Sequence, residues 1–185
     1  GGLGKASWRV YGNGTTGWYA KSFISATLPE YSSDELFMRF WLKPISYCDE
    51  VLTLRTNADV VKFKINMTKL SETEYQLNYY NHDNALIYGY KPLKFTEWIK
   101  VDFRILQATE GIVQLKLNDR LVTTWNGNTL GTNGKISKIY FGKTGNQYTS
   151  RDFCIDDIAI NDASGIVNNS WCGNGSIVAI HPYAN

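Results

Sequence analysis

The chain has 185 residues, of which 43% are hydrophobic, 19% charged and 14% aromatic, and its formal net charge is +2. That composition is globular, a domain of this length buries roughly 70% of its unfolded surface, and the charge is too slight for the basic stripe of a nucleic-acid binder. No run of about eighteen apolar residues occurs, so neither a membrane nor nucleic acid is expected as a partner.

The opening Gly1-Gly2-Leu3-Gly4, with no initiator Met, reads as a processed product, a fragment or a cloning remnant. Strand-like runs then recur between Gly, Asn and Asp clusters, and no amphipathic helix pattern interrupts them. The predicted strands begin with Ala6–Tyr11 and Tyr19–Ser25, separated by the turn-forming Gly12-Asn13-Gly14. Glu35–Lys43 follows, then Val51–Thr56 and Val60–Met67, joined by a tight connection at Asn57-Ala58-Asp59. Tyr75–Tyr80 and Leu86–Tyr90 flank a turn at 81–84. Trp98–Leu106 alternates strongly, and Ile112–Leu117 and Leu121–Trp125 form a hairpin through Asn118-Asp119-Arg120. Lys135–Gly142 and Asp152–Ile160 close the main body, and Ser176–Ile180 is one short strand in a loop-rich tail. The expected architecture is all-β: a two-sheet antiparallel sandwich with about five to seven strands per sheet and almost no helix. Residues 1–161 form the sandwich, and 162–185 an extension.

Alternation assigns faces, because successive strand residues point to opposite sides. Leu36, Met38, Phe40 and Leu42 share one face of their strand, and Glu35, Phe37, Arg39, Trp41 and Lys43 the other. Leu52 and Leu54 point inward and leave Thr53 and Arg55 outside; Tyr75, Leu77 and Tyr79 point inward and leave Gln76, Asn78 and Tyr80 outside. An outer surface of Arg, Trp, Tyr, Asn and Gln differs from the Lys, Glu and Thr of a merely solvated face. Asp156 shares the phase of Ile158 and Ile160 and is expected to point inward, where a carboxylate must be hydrogen-bonded, paired with an Arg or bound to a metal.

Catalytic patterns are scarce. His82 in a turn and His181 beside Pro182 read as ordinary surface histidines, and no G-x-S-x-G or phosphate-binding glycine loop occurs. Cys48, Cys154 and Cys172 form no C-x-x-C pair; they are either buried free thiols or include one disulfide between Cys154 and Cys172. Sequons starting at Asn13, Asn66, Asn168 and Asn174 are expected as chance matches in a chain rich in Asn, Ser and Thr.

Several segments resemble the concanavalin A-like and laminin G-like jelly rolls. Trp98-Ile99-Lys100-Val101-Asp102-Phe103 is similar to the W-x-x-V-x-apolar strand of that superfamily, and Val113–Val122 to the hairpin that follows it. Phe153-Cys154-Ile155-Asp156-Asp157-Ile158-Ala159-Ile160 resembles the last main strand, and Phe40-Trp41-Leu42-Lys43-Pro44 an earlier one. Together these pieces span about Ser7 to Asn161. The tail, Ile160–Gly165 followed by Asn168–Gly175 and then Ile177, Val178, Ile180 and Pro182, resembles a C-terminal extension of laminin G-like proteins in tailed-phage structural gene sets. It departs from that pattern at Asn174, where an acidic residue is usual, and at Cys172, which replaces a small residue or Pro.

The resemblance implies several expectations. In such domains the Asp at the position of Asp156 often helps to hold a structural calcium with carbonyls near the N-terminus, and calcium takes six to eight oxygens; backbone amides or an Arg are the alternative. Glycosidases of this fold carry alternating acids on one strand, since retaining hydrolysis needs carboxylates about 5–5.5 Å apart, and no such triplet occurs, so an enzyme is not expected. Sugar binding on this fold uses aromatic rings with amides and Arg. Arg39, Trp41, Arg55, Gln76, Asn78, Tyr80, Tyr88 and Tyr90 are the candidates, with a protein interface or plain cross-strand packing as the other readings. The function expected is a non-enzymatic virion surface protein of a tailed phage, as capsid decoration or tail component, with capsid or tail proteins and glycans as partners. A secreted or cell-surface carbohydrate-binding module is the first alternative and a glycan hydrolase or lyase the second. The tail carries Ile166, Val167, Trp171, Ile177, Val178 and Ile180, which are costly to leave in water. It is expected to pack partly on its own domain, with part of it or the Gly1–Lys5 arm touching a neighbouring subunit in a homo-oligomer or shell.

Overall fold

The computed structural model describes residues 8–12, 22–28, 34–131, 134–143, 151–164 and 170–173. Thirteen strands occur among the described residues: β1 (Trp8–Gly12), β2 (Ser22–Thr27), β3 (Glu35–Pro44), β4 (Glu50–Arg55), β5 (Val61–Lys69), β6 (Glu74–Asn81), β7 (Leu86–Gly89), β8 (Leu93–Lys94), β9 (Ile99–Leu106), β10 (Gly111–Leu117), β11 (Arg120–Gly127), β12 (Lys138–Lys143) and β13 (Arg151–Asp162). They form two antiparallel sheets with no helix among the described residues. Sheet A runs β1-β13-β3-β9-β10-β11; sheet B runs β2-β12-β4-β5-β6-β7, with β8 paired to β6. This is the expected jelly-roll sandwich.

Burial explains the layering. Leu36, Met38, Phe40 and Leu42 of β3 meet Val101, Phe103 and Ile105 of β9 and Val113, Leu115 and Leu117 of β10 on one side; Leu52, Leu54, Phe63, Ile65, Met67, Leu77 and Phe141 cover them from sheet B. Phe40 packs edge-on against Phe141 across the sheets, with ring centroids 5.1 Å apart, and Phe63 meets Phe103 at 5.4 Å. Such offset ring pairs add about 0.5–1.5 kcal/mol each beyond the area they bury.

Turn chemistry follows the sequence closely. Asn118 and Asp119 both adopt positive φ, 48° and 67°, as a two-residue hairpin with the strands' own twist demands. The Asn81 side chain accepts the amides of Asp83 and Ala85, shaping the 81–84 turn. The expected strand at 135–142 starts only at Lys138. Ile136 gives its amide to the Gln107 side chain at 2.7 Å and Ser137 to the Arg55 carbonyl, so the backbone leaves the regular ladder there. The two-residue β8 follows Pro92 and is too short to leave a periodic signal. The expected strand at 176–180 lies outside the described residues.

Three expectations need correction or resolution. Asp156 does not face the core. It pairs with Trp41, on the side of sheet A opposite Leu42 and Ile155, and a bulge between Asp156 and Ala159 then shifts the phase so that Ile158 and Ile160 turn back to the core. Asp157 takes φ 47° within this bulge, and its amide donates to Asp156 Oδ1 at 2.8 Å. His82 is not an ordinary surface histidine: its ring lies against Gly131, where an added Cβ would come within 2.5 Å of it. All three cysteines are free thiols, Cys48 and Cys172 buried and Cys154 half-buried.

The outer face of sheet A is not solvated either. Phe37, Arg39, Lys100 and Asp102 are all buried although they point away from the core. The segment 170–173 lies across them. Trp171 meets Phe37 edge-on at 6.0 Å, the Lys116 ammonium sits 3.8 Å from the Trp171 ring centroid, and Cys172 Sγ donates to the Phe37 carbonyl. Asn161 Nδ2 holds the Ser170 carbonyl at 3.1 Å, pinning the returning chain to the end of β13.

Candidate functional site

The outer face of sheet B is built from residues that alternate with the core. Leu52 and Leu54, Ile65 and Met67, Leu77 and Tyr79, Ile139 and Phe141 point inward; Thr53 and Arg55, Lys64, Asn66 and Thr68, Gln76, Asn78 and Tyr80, Lys138 and Tyr140 therefore point outward. Residues opposite one another in a ladder share a face, so the register arranges these side chains in rows. One row crosses four strands as Tyr140, Thr53, Lys64 and Tyr80. With strands about 4.8 Å apart, its two tyrosines stand roughly 14 Å apart. The next row is Glu50, Asn66, Asn78 and Gly89, and the next pairs Thr68 with Gln76.

The side chains of this face are ordered by one another. The Arg55 guanidinium lies 5.2 Å from the Tyr140 ring centroid and the Lys64 ammonium 5.0 Å from that of Tyr80, positions favoured by the negative ring faces. Tyr140 Oη donates to Asp59 Oδ1, which also accepts from Lys138 Nζ at 3.0 Å. The hydrogen bond from Lys138 holds the Asp59 carboxyl below its ordinary range. Asn78 Nδ2 donates to Thr68 Oγ1 at 2.8 Å, and Thr53 Oγ1 faces Glu50 at 3.4 Å. Asn66 Oδ1 is buried and has no hydrogen-bond partner, an uncommon state for a buried amide oxygen. Gly89 makes room at the edge: a Cβ there would stand 2.3 Å from Gln76 Nε2 and 2.9 Å from Asn78 Oδ1, so the missing side chain lets two amides lie over the β7 backbone. The result is a polar, amide-rich floor, bracketed by two tyrosines and carrying cations.

The eight predicted contact residues separate into three places. Arg55, Gln76, Asn78 and Tyr80 meet on this face. Arg39 and Trp41 stand on the outer face of sheet A, on the far side of the sandwich; Arg39 lies in the row Ala159, Arg39, Asp102 and Lys116 under the Trp171 segment, and Trp41 between Asp156 and Lys100. Tyr88 and Tyr90 form a third group at the edge where β7 and β11 face each other, with ring centroids 6.3 Å apart. Thr53, Lys64, Asn66, Thr68 and Tyr140 were not among the candidates, although the alternation of β4, β5 and β12 marks them as outward. Asp156 has Trp41 as its ladder neighbour, and among the described residues no three His, Cys, Asp or Glu side chains gather into a metal site. The N-terminal carbonyls that the calcium expectation involves lie partly outside the described residues.

No protein-family model matches the chain, and no curated protein matches it. Solved structures do. The cellulose-induced protein Cip1 superposes with a TM-score of 0.61 at 15% identity, over 92% of this chain and 84% of that one. A native heptameric SAP-like pentraxin from Limulus polyphemus gives 0.59 at 15% identity, over 88% and 87%. Botulinum neurotoxin type C, whose cell entry depends on interaction with two ganglioside molecules, gives 0.54 at 12% identity; there the match covers 83% of this chain and only 38% of the toxin chain. At these identities the likeness is one of fold, the two-sheet antiparallel jelly roll that the strand order already displays.

Proposed function

We propose that this chain is a non-enzymatic, lectin-like module that binds glycans across the outer face of sheet B. The observation that carries the reading is the row Tyr140, Thr53, Lys64, Tyr80, backed by the Asn66, Asn78 and Gln76 amides. A saccharide presents flat C–H faces and a rim of hydroxyls. Tyrosine rings accept the first, and the Gln76 amide, the exposed Thr68 hydroxyl and the cations match the second, while Thr53 is fully covered within the row. The pentraxin and toxin relatives in fold support the class of module without naming its ligand.

The proposal extends to location. The resemblance of the segment after Ile160 to the extension of tailed-phage laminin G-like proteins supports a place on a virion, as capsid decoration or tail component, in a homo-oligomeric or shell-bound form. A secreted or cell-surface carbohydrate-binding module is the same chemistry in another setting, and regular density for this chain on purified particles separates the two. The test of binding is a screen of neutral oligosaccharides followed by titration calorimetry. Tyr80→Ala combined with Tyr140→Ala lowers affinity at least about tenfold with little change in Tm, because both rings lie outside the core. Absence of any saccharide ligand, or binding indifferent to that double substitution, overturns the reading; hydrolysis of the bound glycan converts it to an enzyme.

A further inference from the structure

The two sheets part where β7 closes sheet B and the start of β11 closes sheet A. An open cleft of about 130 Å³ lies between them, lined by Tyr88, Tyr90, Lys91, Arg120, Leu121 and Val122. It is smaller than the pocket of a drug-sized ligand and suits one small group docked at the surface. Register explains the gathering. Tyr88 pairs with the core residue Tyr79 and so points to the inner side of sheet B, stacking at 6.5 Å from it. Arg120 pairs with the core residue Leu117 and so lies on the inner side of sheet A, but as the first residue of an edge strand it is exposed instead of covered. Both side chains therefore face the same gap from opposite sheets.

The cleft is held in shape from both sides. The Asn118-Asp119 turn that delivers Arg120 is tied to β9: Lys100 Nζ donates to Asp119 Oδ1 at 2.6 Å, the Lys100 amide donates to Asn118 Oδ1 at 3.0 Å, and the Asn118 amide donates to the Lys100 carbonyl. On the opposite wall the Tyr90 amide donates to the Leu77 carbonyl at 2.9 Å. The backbone that carries Arg120 and Tyr90 is thus fixed before a ligand arrives, which lowers part of the entropic cost of binding. The lining includes two cations and no carboxylate to neutralise them. A guanidinium forks onto a carboxylate through two parallel hydrogen bonds, and an aromatic wall attracts the apolar face of a ring through its quadrupole.

We propose that this cleft binds a carboxylate-bearing pyranose such as a terminal uronic acid residue, its carboxylate on Arg120 with Lys91 beside it and its ring face on Tyr88 and Tyr90. It is a second saccharide site, separate from the outer face of sheet B and independent of it. The test is an NMR titration of the full chain with D-glucuronate, D-glucose and inorganic phosphate. Glucuronate shifts the resonances of Tyr88, Tyr90 and Arg120, its affinity falls as salt rises, and glucose binds at least about tenfold more weakly. Arg120→Gln weakens glucuronate about tenfold at unchanged Tm, Lys91→Gln weakens it less, and Tyr80→Ala leaves it alone. Equal affinity for glucose, phosphate competing as well as glucuronate, or indifference to both cation substitutions overturns the proposal. Any of these leaves neutral-glycan binding sensitive to Tyr80 untouched, so the two readings fail separately.

Discussion

Asp102 gives a prediction whose size follows from its surroundings. It is 3% exposed, its Oδ2 has no hydrogen-bond partner, and the nearest ammonium, that of Lys100, stands 3.9 Å away. Burial pushes its carboxyl up to about 6 from an ordinary 3.8, against the opposing pull of Lys100 and Arg39. An acid whose folded pKa lies above its unfolded one is disfavoured in the fold only when ionised. Its stabilising contribution is therefore fully present below about pH 3.8 and is lost as pH rises through about 6. At 1.36 kcal/mol per pH unit the whole difference is about 3 kcal/mol. Asp102→Asn keeps the shape of the protonated side chain and cannot ionise. Urea melts of both proteins should show the wild type losing about 3 kcal/mol relative to the variant between about pH 3 and pH 7, with the midpoint moving and the m value constant. A difference that stays flat over that range, or that slopes the other way, refutes the claim that this carboxylate is desolvated in the fold.

Trp171→Ala removes the ring that caps Phe37 and Lys116, and should cost about 1–2 kcal/mol in thermal or urea unfolding; by admitting water to Asp102 it should also flatten the pH dependence just described. Gly89→Ala places a methyl where the Gln76 and Asn78 amides lie, so it should weaken neutral-glycan binding in calorimetry while the far-UV circular dichroism stays that of an all-β chain. The calcium expectation for Asp156 predicts a lower Tm in excess chelator, because a ligand bound only by the folded state stabilises it; an unchanged Tm takes Asp156 out of any ligand set.

Much of the architecture was legible in the sequence because strand pairing leaves local marks. Alternation in Glu35–Lys43 and Tyr75–Tyr80 named the inward side chains, and Asn-Asp and Asn-Ala-Asp clusters named turns whose positive φ values at Asp59, Asn118 and Asp119 only a few residue types adopt readily. A periodic signal reports which side of its own strand a residue takes. It carries no information about which sheet the strand joins, or what later covers that side. Arg39 and Arg55 look alike in sequence, yet β3 went to sheet A and β4 to sheet B, so the two arginines stand on opposite faces of the sandwich. Asp156 was assigned to the wrong side because a bulge of this kind breaks the period of two that the inference assumes.

Only the tertiary structure decided the composition of the sites. The row from Tyr140 to Tyr80 joins residues up to 87 positions apart in numbering, 53 to 140, through ladder register, and the cleft of Tyr88 and Arg120 exists because two edge strands from different sheets end beside each other. The burial of Asp102 needed the chain to return 69 residues later with Trp171 and Cys172. Hydrophobic alternation is a local property, set by the geometry of one strand, and the sequence alone determined the all-β class from it, with the jelly roll implied by the resemblance of its motifs. Register, sheet membership and the path of the tail come from packing many strands at once, and these placed the chemistry.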